Sequence, residues 1–211
     1  MSRAALPIAI VDYGAGNLVS VEQALVHVGG RVWRASRAGE FGDAAALVLP
    51  GVGAAGPAMA RLHRNGLIEP ILAWIAADRP FLGICLGLQL LFEGSDEDGA
   101  TTFGVLEGRS RRLEAAPTLP HIGWNQVVRR RQHPLFDGLA SDVDLYFVHS
   151  YAGAPAGPAE SAVIGETVHG RPFVSAVARE RLFGVQFHPE RSGRDGLHLL
   201  ANFVRFAARA A

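Results

Sequence analysis

The only cysteine of the chain, Cys85, stands in the segment Gly83-Ile84-Cys85-Leu86-Gly87. The pattern G-x-nucleophile-x-G belongs to a strand-to-helix elbow. Its turn is so sharp that the residues two before and two after the nucleophile nearly touch, and glycine at both relieves the crowding. Such an elbow sets the sulfur at a helix N-terminus, where the macrodipole favours thiolate, and aims the Leu86 amide at an oxyanion formed beside it. A lone cysteine is more often a small buried hydrophobe. Here the flanking glycines, between an apolar run and a helical pattern, reverse that reading.

A thiolate that attacks a carbonyl carbon needs a proton carrier. Of the eight histidines, most read as surface residues or as core residues with a satisfied ring. His27 and His198 lie in helical patterns and His133 in a polar turn. His188 differs: it follows the apolar run 182–187 and precedes Pro189-Glu190. Proline confines the residue before it to extended backbone, where residues i and i+2 share a side. Glu190 is therefore expected to orient the His188 ring and leave its other nitrogen for the sulfur. A second oxyanion donor is expected from Val52 and Gly53, because the glycines of Pro50-Gly51-Val52-Gly53 let an amide turn inward. A plain strand-to-helix turn is the rival reading of that segment.

Other chemistries find less support. Gly14-x-Gly16 would need a third glycine at position 19, which is Val19, and no carboxylate closes the second strand, so a nicotinamide site is disfavoured. No His/Cys/Asp spacing resembles a zinc site, and neither metal nor cofactor is expected. All 20 basic residues are arginine. The lack of lysine removes Schiff-base chemistry, lysine-anchored pyridoxal phosphate and a Walker-type phosphate loop. The 20 acidic residues bring the formal net charge to zero. That balance gives no reason to expect nucleic acid or an anionic membrane as partner. Acidic residues at 93–98 read as compensation for the arginine-rich stretches 109–112 and 129–131. A single cysteine forbids an intrachain disulfide and fits a reducing, cytoplasmic setting. The opening apolar run is too short for a signal peptide, and no stretch of about 18 apolar residues suggests a membrane span.

The elements that must position these residues alternate. Strands are expected at 7–11, 31–35, 44–49 and 81–84, and helices from Asn17 to the Gly29-Gly30 stop, at 55–64, at 67–77 and at 86–92. Such alternation argues for a parallel sheet with helices on both faces. Later strands are expected at 104–113, 125–131, 144–149, 162–167 and 182–187, with a hairpin at Gly170-Arg171-Pro172 and a loop at 152–158. A closing amphipathic helix carries Leu200, Phe203, Val204 and Ala207 on one stripe. The whole reads as one α/β domain, 1–211, with a mixed sheet.

The pair Gly83-Ile84-Cys85-Leu86-Gly87-Leu88-Gln89 and Gln186-Phe187-His188-Pro189-Glu190 resembles the signature of class I glutamine amidotransferases. Asp12-Tyr13-Gly14-Ala15-Gly16-Asn17-Leu18, Pro120-His121-Ile122-Gly123-Trp124-Asn125 and Tyr146-Phe147-Val148-His149-Ser150-Tyr151 resemble, within that family, the glutaminase subunits of imidazole glycerol phosphate synthases. The match runs over essentially the whole chain.

The resemblance implies a flavodoxin-like fold and hydrolysis of L-glutamine to glutamate and ammonia through a thioester on Cys85, with His188 and Glu190 as proton carrier and orienter. It implies an oxyanion site at Val52, Gly53 and Leu86, and substrate contacts at Gln89, Ser150 and Tyr151. The implied partner is a (β/α)8-barrel cyclase subunit in a heterodimer. That subunit uses the ammonia to form imidazole glycerol phosphate and an aminoimidazole carboxamide ribonucleotide in histidine biosynthesis. Contacts with it are implied at Asp12, Asn17, Trp124 and Arg191. The family usually has lysine after the His-Pro-Glu motif; Arg191 keeps the charge but replaces a point charge with a planar fork. Three other readings stay open: a class I glutaminase serving pyridoxal phosphate synthesis, a cysteine peptidase or esterase-like hydrolase, and a regulatory subunit with a dead site.

Overall fold

The computed structural model describes residues 5–210; residues 1–4, which begin the opening apolar segment, and residue 211 lie outside it. The chain runs through β1 (Leu6–Val11), α1 (Leu18–His27), β2 (Gly30–Ala35), β3 (Ala46–Gly51), α2 (Ala55–Arg64), α3 (Ile68–Ala76), β4 (Phe81–Cys85) and a short α4 (Leu86–Gln89). It continues through β5 (Gly94–Ser95), β6 (Gly108–Arg112), β7 (His121–Arg129), β8 (Asp142–His149), β9 (Tyr151–Pro155), β10 (Val163–His169), β11 (Arg171–Arg179), β12 (Leu182–Val185) and α5 (Gly193–Ala210).

Nine strands form one sheet in the order β2-β1-β3-β4-β12-β11-β10-β7-β8. The first five are mutually parallel and the remaining pairings are antiparallel. Parallel strands are buried on both faces, which is why β1, β3 and β4 read as unbroken apolar runs. Alternate residues of β1 go to opposite cores: Ile8 and Ile10 to one, Ala9 and Val11 to the other. The first core is closed by Leu18, Val21 and Leu25 of α1 and by the expected stripe Leu200, Phe203, Val204 and Ala207 of α5. Ala58 and Leu62 of α2 and Ile71 and Trp74 of α3 close the second. Full burial of each large aliphatic or aromatic side chain stabilises by about 1.5–3 kcal/mol, so both faces contribute.

Parallel register aligns the strand ends that carry the candidate residues. Gly51 of β3 lies opposite Cys85, and Ile84 lies opposite both Pro50 and Val185. The segments after β1, β3, β4 and β12 therefore open on the carboxyl edge of the sheet, where ligands of open α/β folds bind.

Four expectations need correction. The helix after Cys85 ends at Gln89 instead of continuing to residue 92. The carbonyls of Leu90, Leu91 and Phe92 accept from the amides of Phe103, Leu106 and Gly104, so tertiary partners outcompete further helical turns. The segment expected as a loop, 152–158, holds most of β9, which pairs with β6 in a separate three-stranded sheet, β5-β6-β9. Its alanines, glycine and prolines hid it, yet a Cβ on Gly153 would lie 2.1 Å from the Phe92 ring, so glycine is required for packing there. The strand expected at 104–113 shrinks to Gly108–Arg112, and that expected from residue 125 begins earlier, at His121.

A Cβ on Gly87 would stand 1.9 Å from the Leu49 carbonyl oxygen, whereas one on Gly39 would meet nothing within 4 Å. Gly87→Ala is expected to cost about 3 kcal/mol, at the upper end for overpacking. Gly39→Ala should stay within about 0.5 kcal/mol, as for a neutral surface site. Urea unfolding of both variants measures the difference; equal midpoints would refute the close approach.

Candidate active site

Cys85 ends β4 with φ 55 and ψ −109, a left-handed backbone that costs a non-glycine residue of order 1–3 kcal/mol. The crowding expected of an elbow is present: a Cβ on Gly83 would sit 2.5 Å from the Gly87 carbonyl oxygen. Cys85 is buried, and Leu86 opens α4, so the Leu86 amide has no acceptor within the helix.

His188 comes from the segment after β12. Its Nδ1 and Glu190 Oε1 are 2.9 Å apart, with the two side chains 6% and 1% exposed. The pairing differs in origin from the expectation. His188 is extended, at φ −101 and ψ 93, but Pro189–Arg191 form a 3-10 turn, and that turn brings Glu190 back beneath the ring. The His188 backbone is clamped as well. Its amide donates to the Tyr146 carbonyl at 2.8 Å, and Ser192 Oγ donates to the His188 carbonyl at 2.6 Å while accepting from the Tyr146 amide at 2.9 Å. Burial by itself would push the His188 ring down. The nearby Cys85 thiol and the bond and charge of Glu190 outweigh it and raise the ring to about 10. His188 Nε2 has no completed hydrogen bond among the described residues.

Cys85 opens into a pocket of about 290 Å³, lined also by Val52, Gly53, Leu86, Gln89, Ser150 and Tyr151. The sequence reading named all of these. Gln89 is more constrained than expected: its Nε2 donates to the Tyr151 carbonyl at 2.7 Å and to Gln186 Oε1 at 3.1 Å. Both N–H bonds are thus taken, and only its Oε1 is left for a ligand. Glu97 and His149 also line the pocket and were missed. Glu97 was hidden in an acidic stretch read as charge compensation. Asp96 does pair with Arg109, at 2.7 Å, but Glu97 does not share that role.

The glycines of the proposed oxyanion segment differ. Gly51 is the last residue of β3, and a Cβ there would fall 2.5 Å from the buried Tyr13 hydroxyl. It is fixed by packing, contrary to the expectation that both glycines free the loop. Gly53, at φ +85 with open space around it, keeps its freedom.

Of the expected partner contacts, Trp124 and Arg191 share an exposed patch, both in contact with the Tyr146 ring. The Trp124 ring meets the Tyr146 ring edge-on at 6.1 Å, and the Arg191 guanidinium lies 4.3 Å from its centre. Asp12 accepts from the Gly14 amide at 2.9 Å and so shapes its own loop. Asn17 is exposed ahead of α1 without capping it. Among the described residues, no group of three His, Cys, Asp or Glu is placed to hold a metal ion, and no helix is long and apolar enough to cross a membrane.

Residues 9–206 match the family model for glutamine amidotransferase class-I. The imidazole glycerol phosphate synthase subunit HisH of Moorella thermoacetica is 47% identical over 97% of this chain and 98% of its own. The protein of the same name from Thermosynechococcus vestitus is 49% identical over 93% and 95%. Among solved structures, PurLQS from Thermotoga maritima superposes with a TM-score of 0.76 at 16% identity, covering 95% of this chain and 98% of that one. A glutamine amidotransferase from the same organism gives 0.67 at 14% identity, covering 97% and 99%. These two show the fold; the family model and the closer relatives show more. The chain belongs to the class-I glutamine amidotransferase family, within its HisH branch.

Proposed function

We propose that this chain is the glutaminase subunit of an imidazole glycerol phosphate synthase, hydrolysing L-glutamine and passing the ammonia to a (β/α)8-barrel cyclase. The observation that carries the reading is a left-handed Cys85 at a glycine-flanked elbow, beside the His188–Glu190 pair, in a chain with HisH relatives along nearly its whole length. Cys85 thiolate attacks the side-chain amide carbon of glutamine. The tetrahedral oxyanion takes hydrogen bonds from the Leu86 amide and from the Val52-Gly53 segment. Protonated His188 gives its Nε2 proton to the departing nitrogen, so ammonia leaves and a glutamyl thioester remains. Neutral His188 then takes a proton from water, whose oxygen attacks the thioester; glutamate departs and the electron pair returns to sulfur. Glu190 orients the ring and balances its charge throughout. Gln89, Ser150 and Tyr151 hold the rest of the substrate. The exposed patch of Trp124, Tyr146 and Arg191, with the Asp12–Asn17 loop on the same sheet edge, is the surface offered to the cyclase.

Cys85→Ala is expected to fold and to lose glutamine hydrolysis altogether, while its complex with the cyclase still works when ammonia is supplied. Glutamate release by this variant would end the thioester mechanism.

Free turnover without an acceptor wastes glutamine, and Gly53 permits a peptide that aims its amide into the site or away from it. Losing one oxyanion donor costs roughly 10²–10³ in rate. The isolated chain should therefore hydrolyse glutamine slowly, and cyclase with its nucleotide bound should raise turnover at least about tenfold, a modest share of that factor. A lone chain already at the full rate of the complex would show that the segment is only a turn.

His188 also sets a pH dependence. Its folded value lies above the ordinary 6.5, so the stability it contributes is complete below pH 6.5 and is lost as pH rises towards about 10. Glu190→Gln removes one of the raising charges. Its melting temperature should begin to fall near the same pH as the parent's, about 6.5, but stop falling at a lower pH and fall by less in total, measured by melts between pH 6 and 10. Coincident curves would mean that Glu190 does not hold the proton on His188.

A further inference from the structure

Gln186 is completely buried, and the mechanism above gives it no part. Its Nε2 lies 3.6 Å from Cys85 Sγ, within hydrogen-bonding reach of sulfur. Its Oε1 accepts from Gln89 Nε2, which also donates to the Tyr151 carbonyl. A backbone carbonyl only accepts. Gln89 must therefore turn its NH2 to Tyr151, Gln186 must turn its oxygen to Gln89, and the Gln186 NH2 is left facing the sulfur. Reversing either amide would set oxygen against oxygen or NH2 against NH2.

The same carbonyl is braced from its other side. It takes the Nδ1 proton of His149 at 2.9 Å, which makes His149 Nε2 an acceptor. His121 Nδ1 donates to that nitrogen at 3.2 Å, and His121 Nε2 accepts from Asn125 Nδ2 at 3.1 Å. Asn125 is oriented in turn by the Gln126 amide, which donates to its Oδ1 at 2.8 Å, and by the Val168 carbonyl, which accepts from its Nδ2 at 3.0 Å. Every link from Asn125 to the sulfur thus has one polarity only. Burial holds both histidines neutral, His149 at about 3 and His121 at about 4.

Resting on the reading of Cys85 as the nucleophile, we propose that Gln186 is a catalytic hydrogen-bond donor to the Cys85 thiolate, locked in that orientation by the Gln89 amide and the Tyr151 carbonyl. A donor to an anion is roughly twice as strong as one to a neutral acceptor, so it acts mainly when the sulfur is charged. That is the case before attack and again when the thioester breaks and the electron pair returns to sulfur. The other titratable groups around Cys85 are His188 with Glu190 behind it, Tyr13 from the loop after β1, and, lining the same pocket, neutral His149, Glu97 and Tyr151.

Because the chain has one thiol, alkylation by iodoacetamide followed by intact mass reads Cys85 alone. Gln186→Met keeps length and apolar packing but removes the donor. Its alkylation at pH 7 is expected to be about tenfold slower than the parent's, the size of effect a donor to a charged group has. The gap should close at high pH, where the thiol ionises without help. Equal rates at pH 7 overturn the proposal. So does a deficit that persists at high pH, which would mark blocked access alone. Should Gln186→Met fail to fold, Gln89→Met leaves Gln186 in place but frees its amide to rotate, and the same two outcomes apply. The assay contains no glutamine. A parent without glutaminase activity would remove the proposed function and leave the alkylation result to stand on its own.

Discussion

The close approach of two backbones at the elbow is the constraint on which the site depends. A side chain at position 87 would strike the Leu49 carbonyl, one at 83 would strike Gly87, and one at 51 would strike the Tyr13 hydroxyl. With these glycines in place β3 and β4 lie in parallel register up to Gly51 and Cys85, and α4 starts immediately beside the sulfur. The left-handed backbone at Cys85 is the cost of that geometry. The surrounding sheet, buried on both faces, over-determines the turn and holds it there. No loop could place a thiol, the Leu86 amide and the Val52-Gly53 segment around one small pocket with the same economy of motion.

A second cost is electrostatic. Among the described residues, Tyr13 Oη, His188 Nε2 and Glu190 Oε2 are buried without hydrogen-bond partners, and each such atom costs about 1–3 kcal/mol. They gather around one cysteine. By contrast Gln89, Gln186, His149 and His121 donate and accept along one continuous line, and the two situations suit two tasks. The pairing of Gln89, Gln186, His149 and His121 fixes which atoms are donors. The open valence at His188 Nε2 is what a proton carrier must keep. A completed bond there to a permanent protein partner would hold the ring and prevent the transfer.

The parallel half of the fold was legible because both-face burial writes long apolar runs, and turn chemistry punctuates them with glycine and proline. β9 was not legible: Ala152, Gly153 and Ala154 carry little strand propensity, and the reason for glycine there, the Phe92 ring, is distant in sequence. The end of α4 was illegible for a related reason, since the carbonyls of Leu90 to Phe92 are claimed by residues beyond position 101. Within the site, Cys85, His188 and the pocket residues announced themselves through local motifs. Glu97 did not, and His121, His149 and Gln186 stood inside the family motifs with no role of their own. Their positions follow from pairings between distant strands, such as His121 opposite His149, and from hydrogen bonds that carry no period or spacing.

The patch proposed as the cyclase contact and the candidate proton carrier share a mount. The Tyr146 ring contacts both Trp124 and Arg191, while the Tyr146 carbonyl accepts from the His188 amide and the Tyr146 amide donates to Ser192 Oγ. Trp124 and Tyr146 are also directly opposed in the β7–β8 ladder, two residues from the point where Ile122 faces Val148 beside the pocket. A docked partner pressing on Trp124 therefore bears on the residue that fixes the His188 backbone, without any intervening flexible segment. The stiff side of the site is His188 and its clamp; the pliant side is Gly53. A partner that engages both sides has something rigid to register against and one peptide that it can move. On the proposed mechanism, that division would let docking change the proposed oxyanion segment without disturbing the His188–Glu190 pair.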